Sequence, residues 1–320
     1  MIEQQRISII IATYRRPRQL ERCLCSLRAA DRPTGDMEII VVDDGGGLAA
    51  LSPGLSEGLS VSVIQMAENV GQSRAQSAGV EASCGDLLAF LDDDAVVDRG
   101  WIRAIEGYFA AHPMINVVLG KVLPLDSRHL LARTKQQVYD RRHRLYTDHE
   151  FGASLLKQHH LTCAAGIHIA DHVSGGNFAI RRSALKRAGG LVVEVRKGCD
   201  KIFSQRLLSA GEVIGYEQAM VIRHEHDTSY MRLFTNSYYE GHDLYIVLLR
   251  QQTGGKRFRL ISRIVADTFR IPFSIGQFRE ILNATRWRVQ GYLVFLIISY
   301  ARLMGRMTAL ADFAPEREPE

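Results

Sequence analysis

The run Leu87-Leu88-Ala89-Phe90-Leu91-Asp92-Asp93-Asp94 constrains this 320-residue chain more than any other stretch. Five apolar residues in a row match a strand buried on both faces, the usual state of a strand in a parallel sheet. Three carboxylates then crowd its end. Side chains alternate along an extended chain, so Asp92 and Asp94 can share a side while Asp93 turns away. Such crowding is repulsive unless water or a cation relieves it. A solvated acidic loop is the plain alternative. Hard oxygen donors suit Mg2+ or Mn2+, ions that also accept phosphate oxygens.

Strands and helices alternate on either side of this run. Ile7 to Ala12 reads as a buried first strand, Thr13-Tyr14-Arg15-Arg16 as its loop, and Pro17 as the first turn of a helix. Leu20, Cys23, Leu24 and Leu27 fall on one face of that helix. Glu38 to Val42 is a second strand, closed by Asp43-Asp44-Gly45-Gly46-Gly47. Val61 to Gln65 is a third, followed by Asn69-Val70-Gly71 and a helix from Ser73 to Ala82. This alternation predicts an α/β sheet with right-handed crossovers and ligands at the carboxyl ends of its strands. Thr13, Asp43, Asp44 and Asp92 all stand at such ends.

Further along, Asp98 is expected to cap a helix over 101–111. A strand is expected over 116–123 and a basic helical stretch over 128–160. Gly175-Gly176-Asn177 reads as a tight turn into a strand. Gly198-Cys199-Asp200 precedes a helix over 202–210, with Asp200 able to cap it. Two short strands, 213–216 and 219–222, lead to His224-Glu225-His226.

Composition supports a folded protein of one or two domains, with 46% hydrophobic and 23% charged residues. From Arg250 to Arg306 eleven Lys and Arg face two acids, Asp267 and Glu280. That excess suggests an anionic partner. No nucleic-acid-binding motif accompanies it, so no nucleic acid is expected. Five scattered cysteines without a CxxC pair argue against a zinc knuckle or disulfide framework and favour the cytoplasm. Met1 to Arg6 does not read as a signal peptide. The apolar stretch 292–298 is well short of the roughly 20 residues that span a bilayer. Its flanking arginines suit helices lying on an anionic membrane surface, which would place the protein peripherally on the inner face of the cell membrane. A helical appendage packed on a catalytic domain is the plain alternative.

Six pieces in one order resemble the inverting, GT-A-fold glycosyltransferases of family 2. They are Ile11-Ala12-Thr13-Tyr14-x-Arg16, Val41-Val42-Asp43-Asp44-Gly45, Asn69-x-Gly71, Leu91-Asp92-Asp93-Asp94, Gly175-Gly176-Asn177 and Gly198-x-Asp200-x-x-Phe203-Ser204-x-Arg206-Leu207. There are two departures. The helix after Asn69-x-Gly71 reads Ala75-Gln76-Ser77-Ala78-Gly79 where members have Ala-Arg-Asn-x-Gly, with an arginine early at Arg74. The usual Glu-Asp pair is Cys199-Asp200.

The resemblance implies an α/β GT-A fold, Rossmann-like with a mixed, mostly parallel sheet and flanking helices, plus a C-terminal helical appendage. Its domains would be a catalytic 1–245 (a nucleotide-sugar half over 1–125, an acceptor half over 126–245), a basic amphipathic helical 246–312 and a disordered tail 313–320. It further implies a hexosyl- or related transferase moving sugar from a nucleoside diphosphate sugar, with UDP-sugars favoured. The acceptor would be a hydroxyl, on a lipid-linked molecule in one version, in surface polysaccharide or glycolipid synthesis. Asp94 and His224, or His226 in its place, would hold Mg2+ or Mn2+, with Asp92 joining them or contacting ribose. Thr13, Tyr14, Arg16, Asn69, Gly71, Arg74 and Asp93 would line the nucleotide sugar, although solvation or a local cap is the preferred reading of Asp93. Asp44, beside Asp43, would read the base. Asp200 would be the general base, and Gly175, Gly176 and Asn177 would meet the acceptor. The competing functions are a sugar nucleotidyltransferase, whose glycine-rich opening loop Ala12-Thr13-Tyr14-Arg15 does not supply, and a non-catalytic nucleotide- or membrane-binding module.

Overall fold

The computed structural model describes residues 6–48, 58–126, 128–195, 197–226, 229–251 and 288–312. Most of the basic stretch expected before residue 288, and the tail 313–320, lie outside the described residues. The chain divides into two compact units. Met1–Asp126, Tyr139–Val193 and Asp200–His226 make the first; Ser127–Val138, Glu194–Cys199 and Asp227–Glu320 make the second. The last division falls at Asp227, ahead of the expected 245, because Tyr230–Gln251 is a single helix.

In the first unit, β1 (Ile7–Thr13), β2 (Met37–Asp43), β3 (Val61–Gln65) and β4 (Leu87–Leu91) pair in parallel in the order β3-β2-β1-β4. All residues of β1 and β4 are buried. Their alternate side chains meet different helices. Ile7, Ile9 and Ile11 pack with Leu20, Cys23, Leu24 and Leu27 of α1 (Pro17–Ala29). Ala12, Ile40 and Val42 pack with Ala75 of α2 (Gln72–Ala82). Two covered faces explain why these strands read as continuous apolar runs.

Beyond β4 the pairing turns antiparallel through β7 (Asn177–Arg181) to β6 (Val117–Pro124). It then runs parallel to β8 (Ile214–His224) and antiparallel to β5 (Ala95–Val97). Only Asp92, Asp93 and Asp94 separate β4 from β5 in sequence, yet three strands separate them in the sheet. The sheet therefore curls until the end of β8 returns to the end of β4. Its register sets Ala95 opposite His224.

Four local expectations are corrected. Strand β5 has too few residues to signal itself and exists through its pairing with β8. The two short strands expected at 213–222 are one strand with an irregular register near Gly120. The stretch 128–160 is two helices, α4 (Leu130–Tyr146) and α5 (His149–Gln158), parted where the Asp148 carboxylate accepts the backbone N–H of Glu150 and Phe151. Asp98 does not cap α3 (Trp101–Ala111) with its side chain. Gly100 holds that position, and the Asp98 carboxylate pairs with Arg223 at 3.3 Å. The short α6 (Arg182–Arg187) and α7 (Cys199–Ser209) complete the unit.

In the second unit, α8 (Tyr230–Gln251) packs along α9 (Arg288–Asp312) through Tyr245, Leu249, Leu303 and Ala309. Arg302 pairs with Glu240 at 2.7 Å. Among the described residues, no helix is long and apolar enough to cross a membrane.

Candidate active site

The closure of the sheet gathers its charges at one point. His224 Nε2 stands 3.6 Å from Asp92 Oδ2 and 3.0 Å from Asp94 Oδ1. One ligand atom from each of the three lies within 4.8 Å of the others. Asp94 Oδ1 is buried, and the His224 ring stands against it as its ion-pair partner. Burial opposes the charge on His224, yet the two carboxylates outweigh it and raise the imidazole to about 10. Burial also opposes the charge on Asp94. There His224 and then Arg16 prevail, holding the carboxyl below its ordinary value. Two carboxylates and an imidazole fit Mg2+ or Mn2+.

The position of Asp92 is built from both sides. The Gln72 side-chain amide donates to Asp92 Oδ1 at 2.7 Å. Gly176 lies directly beneath the carboxylate, so a Cβ there would sit 1.9 Å from Asp92 Oδ2. Gly176 thus makes room for Asp92, a close approach that only glycine permits.

Asp93 faces the other way and is only 5% exposed. It accepts from the Thr13 hydroxyl at 2.7 Å and from Arg16 at 3.2 Å, and Arg16 also reaches Asp94 at 3.1 Å. The preferred reading of Asp93 as solvated or as a cap is therefore corrected: β1 and β4 are neighbours, and their loops enclose it. Burial raises its pKa despite these partners. Arg16, expected to line the nucleotide sugar, is half-exposed and braces the acidic turn. Tyr14 is exposed, with the Arg15 guanidinium over its ring.

The acids closing β2 are engaged otherwise. Asp43 accepts the backbone N–H of Gly46 and Leu48. Asp44 accepts the Asn69 side-chain amide and the backbone N–H of Val70 and Gly71. Gly71 precedes α2 at φ 93°, a backbone state that favours glycine. The expected reading of a base by Asp44 meets a carboxylate already occupied by its own loop. Arg74 donates to the Val193 carbonyl at 3.0 Å, tying α2 to that segment.

Asp200 lies in the first turn of α7, where its Oδ1 accepts the Lys201 backbone N–H at 2.9 Å. Its backbone carbonyl accepts the Ser204 hydroxyl, which in turn accepts the Val173 backbone N–H at 3.0 Å. Val173 is three residues from Gly176, so α7 is tied to the strand entry beneath Asp92. Asn177 is a correction. It is fully buried, accepts from the Trp101 indole at 2.9 Å and donates to the carbonyls of Lys121 and Met220. A side chain with these partners locks β7 to its neighbours and cannot serve an acceptor.

His226, the alternative to His224, is outside the three-residue cluster. Its ring stacks on Tyr139 at 5.5 Å and 8°. Gln72 and Tyr139 are the neighbours of the acids that sequence reading missed. Neither belongs to a motif; only the position of Gln72 just after Asn69-x-Gly71 hinted at it.

With this geometry in hand, the comparisons are specific. The family described as glycosyl transferase family 2 matches residues 8–189, more than half of the chain. This chain belongs to glycosyl transferase family 2. A relative within reach of this family 2 chain is a pre-mycofactocin glycosyltransferase of Mycobacterium tuberculosis, 25% identical over 224 residues. That match takes in 69% of this chain but 43% of the relative, so the chain spans less than half of its length. An N-acetylglucosaminyltransferase of Mesorhizobium japonicum is 32% identical over 96 residues, 28% of this chain and 22% of its own. Among solved structures, the mannosyltransferase PcManGT from Pyrobaculum calidifontis, in complex with GDP-Man and Mn2+, aligns with TM-score 0.63 and 15% identity. That alignment covers 97% of this chain and 88% of the other. Staphylococcus aureus TarS 1–349 in complex with UDP-GlcNAc aligns with TM-score 0.54 and 14% identity, over 96% and 92%. These likenesses identify the family 2 fold as GT-A.

Proposed function

We propose that this chain is an inverting glycosyltransferase that moves sugar from a nucleoside diphosphate sugar to a hydroxyl acceptor with the help of a divalent cation. The observation that carries the reading is the convergence of Asp92, Asp94 and His224 on one point. These three would hold Mg2+ or Mn2+, which when bound supplies Lewis-acid stabilisation of the diphosphate leaving group. Solved relatives of the same fold hold GDP-Man with Mn2+, or UDP-GlcNAc, which supports a donor of this class. We favour a UDP-sugar.

Asp200 takes the proton of the acceptor hydroxyl as its oxygen attacks the anomeric carbon. The bond from that carbon to the diphosphate oxygen breaks on the opposite face, and the configuration inverts. Gln72 and Gly176 fix Asp92, while Thr13, Arg16 and Asp93 hold the acidic turn together. Surface polysaccharide or glycolipid synthesis is the setting we propose, on the cytoplasmic face of a membrane. The basic sequence from Arg250 to Arg306 and the exposed Tyr300, Met304 and Met307, spaced along one side of α9, support docking on anionic lipid. Low-salt co-sedimentation with anionic vesicles tests that part, and a protein left in the supernatant ends it.

The central test is a panel of UDP- and GDP-sugars assayed for transfer, hydrolysis and binding with and without Mn2+. Asp94→Ala and Asp200→Asn should both abolish transfer, while only Asp94→Ala loses Mn2+-assisted nucleotide affinity. Equal nucleotide binding by the two variants contradicts the roles given to them.

A further inference from the structure

Tyr139 is a large side chain beside the acids that the proposed mechanism leaves without work. It sits on α4 at the margin of the main core, half-buried. Its ring lies parallel to that of His226, 5.5 Å away, and the His226 ring is 5.8 Å from the His224 ring. On its other flank stands His143, at 6.5 Å and 24°. His143 is itself fixed by the Tyr216 hydroxyl at 2.8 Å and by the backbone of Val122. Tyr139 is therefore stacked on His226, a single ring from the cation-binding imidazole.

Its electrostatic surroundings give it a direction. Burial raises the phenol, and the charges of Asp92 and of Asp200 raise it further, with Arg142 opposing them. The phenol thus feels the charge of the acid on the cation side and of the acid on the base side. No hydrogen bond engages its hydroxyl among the described residues, whereas the neighbouring hydroxyls of Tyr146 and Tyr216 are each bonded. A ring held one histidine away from His224, with a hydroxyl free to bond a ligand, stands beside the proposed cation site.

We infer that Tyr139 contacts the sugar moiety of the donor through its hydroxyl, and that His226 is a positioning residue that holds its ring in place. The inference rests on the active site proposed above. Polyhydroxylated rings are recognised by aromatic side chains with a polar tip, which offer an apolar face and one directed hydrogen bond. One hydrogen bond of this kind corresponds to roughly threefold to tenfold in affinity.

The experiment compares the affinity of UDP with UDP-GlcNAc, UDP-glucose and UDP-galactose, and of GDP with GDP-mannose, by calorimetry in Mn2+. The quantity read is the gain in affinity that the sugar adds to its own nucleotide. For the best donor, Tyr139→Phe should lower that gain by about threefold to tenfold and leave nucleotide affinity within twofold. His226→Ala should lower it less, and His226→Phe, which preserves the stack, should restore it. Thermal melts of each variant separate loss of contact from loss of folding, and Tyr139→Phe keeps the ring for that reason. An unchanged gain in Tyr139→Phe, or no gain in the wild-type chain for any donor, overturns this assignment alone. Failure of the wild-type chain to bind either nucleotide overturns the site itself and this assignment with it.

Discussion

The two acidic strand ends, Val41-Val42-Asp43-Asp44 and Phe90-Leu91-Asp92-Asp93-Asp94, look alike as sequence and flank the same strand, β1. Their chemistry differs completely. Asp43 and Asp44 receive four backbone N–H groups and one side-chain amide, all from loop residues within 27 positions of them. Asp92 and Asp94 receive side chains from distant elements, Gln72, Arg16 and His224. Carboxylates answered by backbone amides build a loop. Carboxylates gathered against one another and an imidazole are arranged to hold a cation.

The strongest way to break this contrast is to substitute one acid on each side. Asp94→Asn should weaken Mn2+ binding by about a hundredfold or more, since even the outer partners of metal ligands are worth 10- to 100-fold. Its urea stability without metal should fall only modestly, because the charge that His224 and Arg16 stabilise is lost together with the cost of burying it. Asp44→Ala should do the reverse. Stranding the backbone N–H of Val70 and Gly71 and the Asn69 amide should cost about 3 kcal/mol in urea unfolding, with Mn2+ affinity nearly intact. If Asp44→Ala abolishes metal binding while leaving stability untouched, the division between the two strand ends is wrong.

Gly176→Ala sharpens the contrast without changing a charge. Its Cβ would lie 1.9 Å from Asp92 Oδ2, so the carboxylate must move. Mn2+ affinity should fall by about tenfold, within the range seen for displaced support of a ligand. Unaltered affinity would mean that the placement of Asp92 does not matter to the cation.

How much of this was legible beforehand follows from the range of the interactions. Strands β1, β2 and β4 are read from their own residues, because burial on both faces writes an apolar run. The family resemblance brought His224 to the acids. Strand β5 could not be seen, since its three residues are extended only by pairing with β8. The role of Asn177 was misread because its partners, Trp101, Lys121 and Met220, lie 43 to 76 positions away. Gly176 was visible as a glycine, but the group that needs its missing side chain is not named by any local pattern. Asp93 was misread for the same reason: its enclosure depends on Thr13 and Arg16, brought near by the pairing of β1 with β4.

A third carboxylate tests the contrast at its weak end. Asp171 is answered by side chains alone, accepting from the Tyr146 hydroxyl at 2.7 Å and from the adjacent His172 ring. Burial works to raise it, yet these donors and Arg142 prevail and lower it to about 2. Because the folded value lies below the unfolded one, its contribution to stability is present above the ordinary aspartate range, near pH 4, and fades as pH falls toward about 2. Asp171→Asn should therefore flatten the decline of urea stability on going from pH 5 to pH 3. The effect should be smaller than that of Asp44→Ala, since the Asp171 side chain is 41% exposed and water screens its partners. Transfer and Mn2+ binding at neutral pH should not change. A loss of metal affinity in Asp171→Asn would place this acid with Asp92 and Asp94, and would show that being filled by hydrogen bonds does not separate structural carboxylates from binding ones.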